Sequence, residues 1–153
     1  MEFKAFWEEI GLDVHIEVTP GNKISKVELS FPNPNTPSLS AKEMPLLDHL
    51  RHLYLSGIEA SDFDYFDLSG ISSFQKTIYL ELIQIPRGTT ISYGNLAKKA
   101  GKPKASRAVG TAMAKNPIPL IIPCHRVVRH NGDIGHYAFG QEIKQRLLDL
   151  EES

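Results

Sequence analysis

Apolar and polar positions alternate in two runs early in the chain. Val14, Ile16 and Val18 take every second position, and Val27, Leu29 and Phe31 do the same. A period of two gives a segment one apolar and one wet face, so both runs predict half-buried strands. Pro20-Gly21-Asn22 between them predicts a turn, and Pro32, Pro34 and Pro37 predict a loop. Leu46, Leu47, Leu50 and Leu53 form one stripe of a short helix over 44–55, and Phe63 to Leu68 reads as a further strand. Residues 56–73, with Gly57, Gly70 and several Ser and Asp, predict a linker.

Beyond that segment the period becomes helical. Phe74, Ile78, Leu82 and Ile85 share a helix face, with Ser73 as the expected cap and Pro86-Arg87-Gly88 as the stop. Ser92 is placed to cap a helix over 93–100 that Gly101 ends. Pro103 suits the first turn of another helix over 103–115. Two short helices around a glycine-containing turn give a helix-turn-helix outline. Residues 117–128 are apolar but broken by Pro117, Pro119 and Pro123, which predicts a buried extended segment. Asn131-Gly132-Asp133 predicts a turn, and Ile143, Leu147 and Leu150 a last helix over 140–151. The expected fold is an α/β N-terminal domain over 1–70, a small antiparallel sheet with a helix, followed by a mainly helical C-terminal domain over 71–153.

Composition narrows the class. The 153 residues are 41% hydrophobic and 23% charged, an ordinary globular balance. No apolar run approaches the roughly 20 residues of a membrane span. Met1 to Ile10 carries Glu2, Glu8 and Glu9 and lacks the basic-then-apolar order of a secretory signal. A single cysteine, Cys124, allows no internal disulfide and no Cys-rich zinc site, and a cytoplasmic location is the expectation. The net charge is −1, yet Lys98, Lys99, Lys102, Lys104, Arg107 and Lys115 occur in a stretch without one acid. Such a stripe is either a footprint for phosphate or a solvated helix face.

The candidate chemistry centres on Cys124. A thiol attacks as thiolate, which a neighbouring base or cation favours; a lone cysteine otherwise serves as a small buried apolar side chain. His125 is adjacent, but neighbours in an extended chain point apart, so it needs a bend or a water to reach the sulfur. Glu151 is either the acid that fixes the imidazole tautomer or a terminal surface carboxylate. Tyr93 reads equally as a buried tyrosine and Arg107 as a phosphate contact. His130 and His136 read as ordinary loop residues, and His49 and His52 form half a metal site with no further ligands.

Several motifs then settle the choice. Pro123-Cys124-His125-Arg126-Val127-Val128 follows Asn116-Pro117 and precedes a glycine-rich turn with Tyr137. Upstream stand Ile91-Ser92-Tyr93-Gly94-Asn95-Leu96-Ala97 and Arg107-Ala108-Val109-Gly110, and downstream Lys144-x-x-Leu147-Leu148-x-x-Glu151. From about Phe74 to Glu151 this resembles the O6-alkylguanine-DNA alkyltransferases; the first half is only compatible with them.

The resemblance implies a helix-turn-helix of winged-helix type and a repair protein that flips O6-alkylguanine out of duplex DNA. It makes Cys124 the alkyl acceptor, His125 a base acting through a water, and Glu151 the carboxylate that orients it. Asn116 would tie the reactive segment to the helix-turn-helix, and Tyr93 would help rotate the base and protonate it. Arg107 would replace the extruded base, while Ala108 and Gly110 would let their helix lie close in the minor groove. Ser92, Arg126, Val127, Tyr137, Ala138 and Phe139 would complete the DNA and substrate contacts. One alkyl group per molecule, no cofactor, no metal and a monomeric state are implied, with O4-alkylthymine as a second substrate.

The sequence departs from the common Tyr-Ser-Gly-Gly of this family at Tyr137-Ala138-Phe139-Gly140, so a hydroxyl that could bond the guanine oxygen is missing. The backbone amide at Ala138 is expected to substitute in part. A damage-recognition module without chemistry would carry another residue in place of Cys124, and a redox enzyme would usually want a second cysteine.

Overall fold

A computed structural model describes residues 1–35, 39–40 and 44–152. Pro37, part of the expected loop, lies outside the described residues. The chain divides into two compact units, Met1–Ser69 and Gly70–Ser153.

The first unit is built on a sheet of four strands: β1 (Glu2–Trp7), β2 (Leu12–Val18), β3 (Ile24–Ser30) and β4 (Leu39–Ser40), in the order β3-β2-β1-β4. The β1–β2 and β2–β3 pairs are antiparallel, whereas β4 runs parallel to β1, so the sheet is mixed rather than antiparallel. Alternation works as expected in β2, where Leu12, Val14, Ile16 and Val18 are buried and His15 is exposed. Strand β1 was not anticipated, although Ala5 and Trp7 show the same two-residue spacing and are both fully buried. Phe31 is a correction: β3 stops at Ser30, and the Phe31 ring is 41% exposed.

Helix α1 (Pro45–Ser56) turns Leu47, Leu50, Leu53 and Tyr54 inward, and the Tyr54 ring lies 6.2 Å from that of Trp7. The expected strand over 63–68 is instead a 3-10 turn, Ala60–Tyr65, closed by a capping box between Glu59 and Asp62. Only Phe66 pairs with the sheet, as an isolated bridge to Ile24. Local capping chemistry thus overrode the apolar run.

The second unit holds α2 (Ser73–Leu82), β5 (Ile91–Ser92), α3 (Tyr93–Lys99), α4 (Ser106–Ala114), β6 (Val127–Val128) and α5 (Gln141–Glu152). The cap of α2 is Ser72, one residue before the expected Ser73, because Ser72 and Gln75 bond reciprocally. Ser92 caps α3 as expected, accepting from the Asn95 amide at 3.1 Å. Helix α4 begins at Ser106 and not near Pro103; residues 102–105 form a turn in which the Ala105 amide bonds Lys102 O. Strands β5 and β6 pair in parallel, Ile91 opposite Val127 and Ser92 opposite Val128. Among the described residues no helix is long and apolar enough to cross a membrane.

Candidate active site

The segment before β6 is buried as expected but not extended. Ile118, Leu120, Ile121 and Ile122 are at most 2% exposed, and the chain folds through turns into a 3-10 turn at Cys124–Arg126. Prolines forbid a regular helix here, and Asn116 supplies the bonds a helix would have made. Its side-chain amide donates to Ile122 O at 2.8 Å, and its carbonyl accepts from the Ile118 amide at 2.9 Å. Leu120 inside this loop has φ 73°, a left-handed conformation that a side chain disfavours.

The 3-10 turn supplies the bend that an extended chain lacked. His125 is fully buried, and its Nε2 lies 2.9 Å from Glu151 Oε2 on the last turn of α5. Arg126 grips the same carboxylate with both forks: Nε donates to Oε1 at 2.8 Å and Nη2 to Oε2 at 3.0 Å. Its Nη1 donates to Ile85 O at 2.8 Å. Glu151 is thus no surface acid. Burial alone would raise its pKa, but the hydrogen bonds from His125 and Arg126 hold the carboxyl well below the usual range. Burial also lowers the pKa of His125, against the pull of Glu151, and favours the neutral ring.

Cys124 is 7% exposed. Burial pushes its thiol up to about 11, opposed by a hydrogen bond from Asn116 and by the charge of Lys144. It lines a cavity of about 130 Å³ with Tyr93, Gly110, Tyr137 and Ala138, and with Met113, Ala114 and His136. Burial raises the Tyr93 pKa, with the nearby thiol adding to the effect. Gly135 has φ 76°, and a Cβ there would sit 3.3 Å from the Tyr93 hydroxyl, so this glycine keeps the tyrosine in place. The rings of Tyr137 and Phe139 meet edge to face at 5.6 Å.

The structure thus gathers Cys124, Tyr93, Gly110, Tyr137 and Ala138 around one cavity, with Asn116 bonding the loop that leads to the sulfur and His125 paired to Glu151 in the buried turn that follows it. Arg107 and Ala108 stand exposed on α4, while Val109, Ala112 and Met113 turn inward. Arg126 departs from the expected DNA contact: it is 6% exposed and its guanidinium is bonded within the protein. Val127 is likewise fully buried, which removes its side chain from any contact surface.

Two residues hold places at the site that the sequence reading did not assign to them. His136 lines the cavity rather than being an ordinary loop residue. Lys144 is fully buried, and its Nζ donates to Val127 O at 2.8 Å and His136 O at 3.1 Å. The signal was present. Ile143, Lys144, Leu147, Leu148 and Glu151 share the buried stripe of α5, so a lysine and a glutamate interrupt an apolar face. Tyr79, also fully buried, donates to Ala112 O at 2.7 Å and ties α2 to α4 behind the cavity.

Fold and site together define a two-unit α/β protein with a single buried thiol next in sequence to a histidine hydrogen-bonded to a buried carboxylate. The family described as 6-O-methylguanine DNA methyltransferase, DNA binding domain, matches residues 73–153, more than half of the chain. The chain belongs to the O6-methylguanine DNA methyltransferase family. It is 52% identical over 82 residues to a methylated-DNA–protein-cysteine methyltransferase of Methanosarcina acetivorans, covering 54% of this chain and 53% of that one. It resembles the crystal structure of an O6-methylguanine-DNA methyltransferase from Pyrococcus kodakaraensis with a TM-score of 0.73 at 28% identity, covering 100% of both chains. Mycobacterium tuberculosis OGT in complex with DNA gives a TM-score of 0.71 at 29% identity, covering 99% of this chain and 92% of that one. The chain spans about two fifths to two thirds of the length of the curated relatives it matches.

Proposed function

We propose that this protein repairs DNA by moving the alkyl group of O6-alkylguanine irreversibly onto its own Cys124. The observation that carries the reading is the cavity where Cys124 meets Tyr93 and Ala138, backed by the His125–Glu151 pair.

An ionised Glu151 can only accept, so His125 Nε2 carries the hydrogen and Nδ1 keeps a lone pair. Through one water, Nδ1 takes the thiol proton. The sulfur attacks the alkyl carbon, a carbon–sulfur bond forms and the carbon–O6 bond breaks. The electron pair passes to guanine, which takes a proton from the Tyr93 hydroxyl. The imidazolium proton then restores the tyrosine through solvent. The product is a thioether that no group in the cavity is set to cleave, so each molecule acts once. The electrophile arrives on the DNA, and the step needs no cofactor. Ala138 presents its amide where a hydroxyl would otherwise meet the oxygen, and Ala138→Ser is expected to speed transfer.

The lesion must leave the stack to meet a buried sulfur, at a cost of roughly a few kcal/mol, least for a damaged pair. Arg107 offsets this by filling the gap, while Ala108 and Gly110 let α4 approach the minor groove. Ser92 and Phe139 flank the DNA, and the helix-turn-helix is of winged-helix type, with the turn closed by Arg129 N–H on Asp133 O as its wing; that turn supports the reading. The protein acts as a cytoplasmic monomer, and O4-alkylthymine enters the same cavity.

The test is intact mass after incubation with a duplex carrying O6-methylguanine. One added methyl on the Cys124 peptide is expected. Tight binding without mass gain would make the protein a recognition module, and turnover beyond one equivalent would sink the single-use mechanism.

A further inference from the structure

Lys144 is the buried charge that the mechanism above leaves idle. Its Nζ bridges two stretches of backbone that share the cavity. Val127 O lies just beyond the reactive turn, three residues after Cys124, and His136 O lies immediately before Tyr137 and Ala138. No other side-chain bond among those described joins both carbonyls. A lysine on an apolar stripe is costly to bury, so a leucine would give a more comfortable helix face.

We propose that Lys144 is a positioning residue that latches the Tyr137–Ala138 wall to the reactive turn and sets a positive charge behind the Cys124 sulfur as it becomes thiolate. The inference rests on the alkyl-transfer reading of this site. Two carbonyls take the ammonium hydrogens directly, so the latch and the charge come from one group. The geometry also explains why a hydrogen-bonding but neutral side chain would serve less well: it could hold one wall, yet would leave the developing thiolate without a compensating charge.

The ionisable groups acting on this ammonium are Cys124, which stabilises it, and Arg129, which opposes it. His125 in the same turn feels its field in return. Burial brings the Lys144 pKa down to about 8, so the charge is present at neutrality and fades in mildly alkaline solution.

The test uses the full chain and duplex DNA carrying one O6-methylguanine. Wild-type protein must first gain one methyl; if it does not, the alkyl-transfer reading fails and not this inference. Given that gain, Lys144→Met is expected to slow single-turnover transfer at least tenfold while binding of the damaged duplex stays within about threefold. Carbamidomethylation of the Cys124 peptide by iodoacetamide is expected to slow in parallel, and Lys144→Arg to recover part of both rates. A folded Lys144→Met protein with both rates within twofold of wild type overturns the proposal. Should that variant not fold, Lys144→Gln, which keeps a hydrogen-bonding side chain without the charge, takes its place: slowing of both rates is expected, and both rates within twofold of wild type overturn the proposal.

Discussion

At the scale of single residues, the site is held by side chains that serve the backbone. Asn116 bonds both ends of the loop that carries strained Leu120, and it also reaches the thiol. Asn116→Ala leaves a buried carbonyl without its donor, which costs about 1–3 kcal/mol. Urea denaturation should show that loss, and single-turnover transfer should fall more than DNA affinity does. Gly135→Ala forces a Cβ into a left-handed position against the Tyr93 hydroxyl. The left-handed strain costs about 1–2 kcal/mol, so slower transfer together with a lower melting temperature is the expected result. Such residues were only partly legible. Asn116, Cys124 and Lys144 all stood in the motifs, but no role fell to Lys144. Its place on the apolar stripe of α5 marks it as inward, and only the structure shows which carbonyls its ammonium meets.

At the scale of elements, helix ends position the chemistry. The capped start of α3 places Tyr93 at its first residue, and the last turn of α5 delivers Glu151. Ser92→Ala removes a cap worth about 1 kcal/mol, and thermal melting should register it. Glu151→Ala strands the Arg126 guanidinium in the interior, a change expected to cost about 3–5 kcal/mol by denaturant titration. Gly88, at φ 81°, packs so close to the end of α5 that a Cβ there would sit 3.0 Å from Glu151 O. Helices with a clear apolar stripe were legible, α1 and α2 among them. The 3-10 turns were not: Ala60–Tyr65 and Cys124–Arg126 arise from capping bonds and proline constraints that no periodicity records. The start of α4 was misplaced because Pro103 fits a turn as well as a helix.

At the scale of the whole molecule, the buried charges predict a pH profile for stability. His125 and Glu151 both have folded-state pKa values below their ordinary 6.5 and 4.5. The unfolded chain therefore binds more protons, and stability rises with pH through the window just below each ordinary value. Acidification from pH 7 to pH 4 should lower the melting temperature steadily, and Glu151→Gln should flatten the lower part of that slope. Trp7, the one tryptophan, is buried in the first unit, so its fluorescence follows that unit and circular dichroism follows both. If the two traces separate in acid, the His125 unit is expected to melt first.

Cys124 is the sole thiol of the chain, and it is nearly enclosed. On the proposed chemistry, a population of these molecules keeps a permanent tally. Each encounter with a lesion moves one chain from the unmodified mass to the alkylated one, and no second thiol blurs the reading. The protein then behaves as a reagent whose capacity is set by how much of it is made. The ratio of the two masses in a cell extract would serve as a dosimeter of past alkylation.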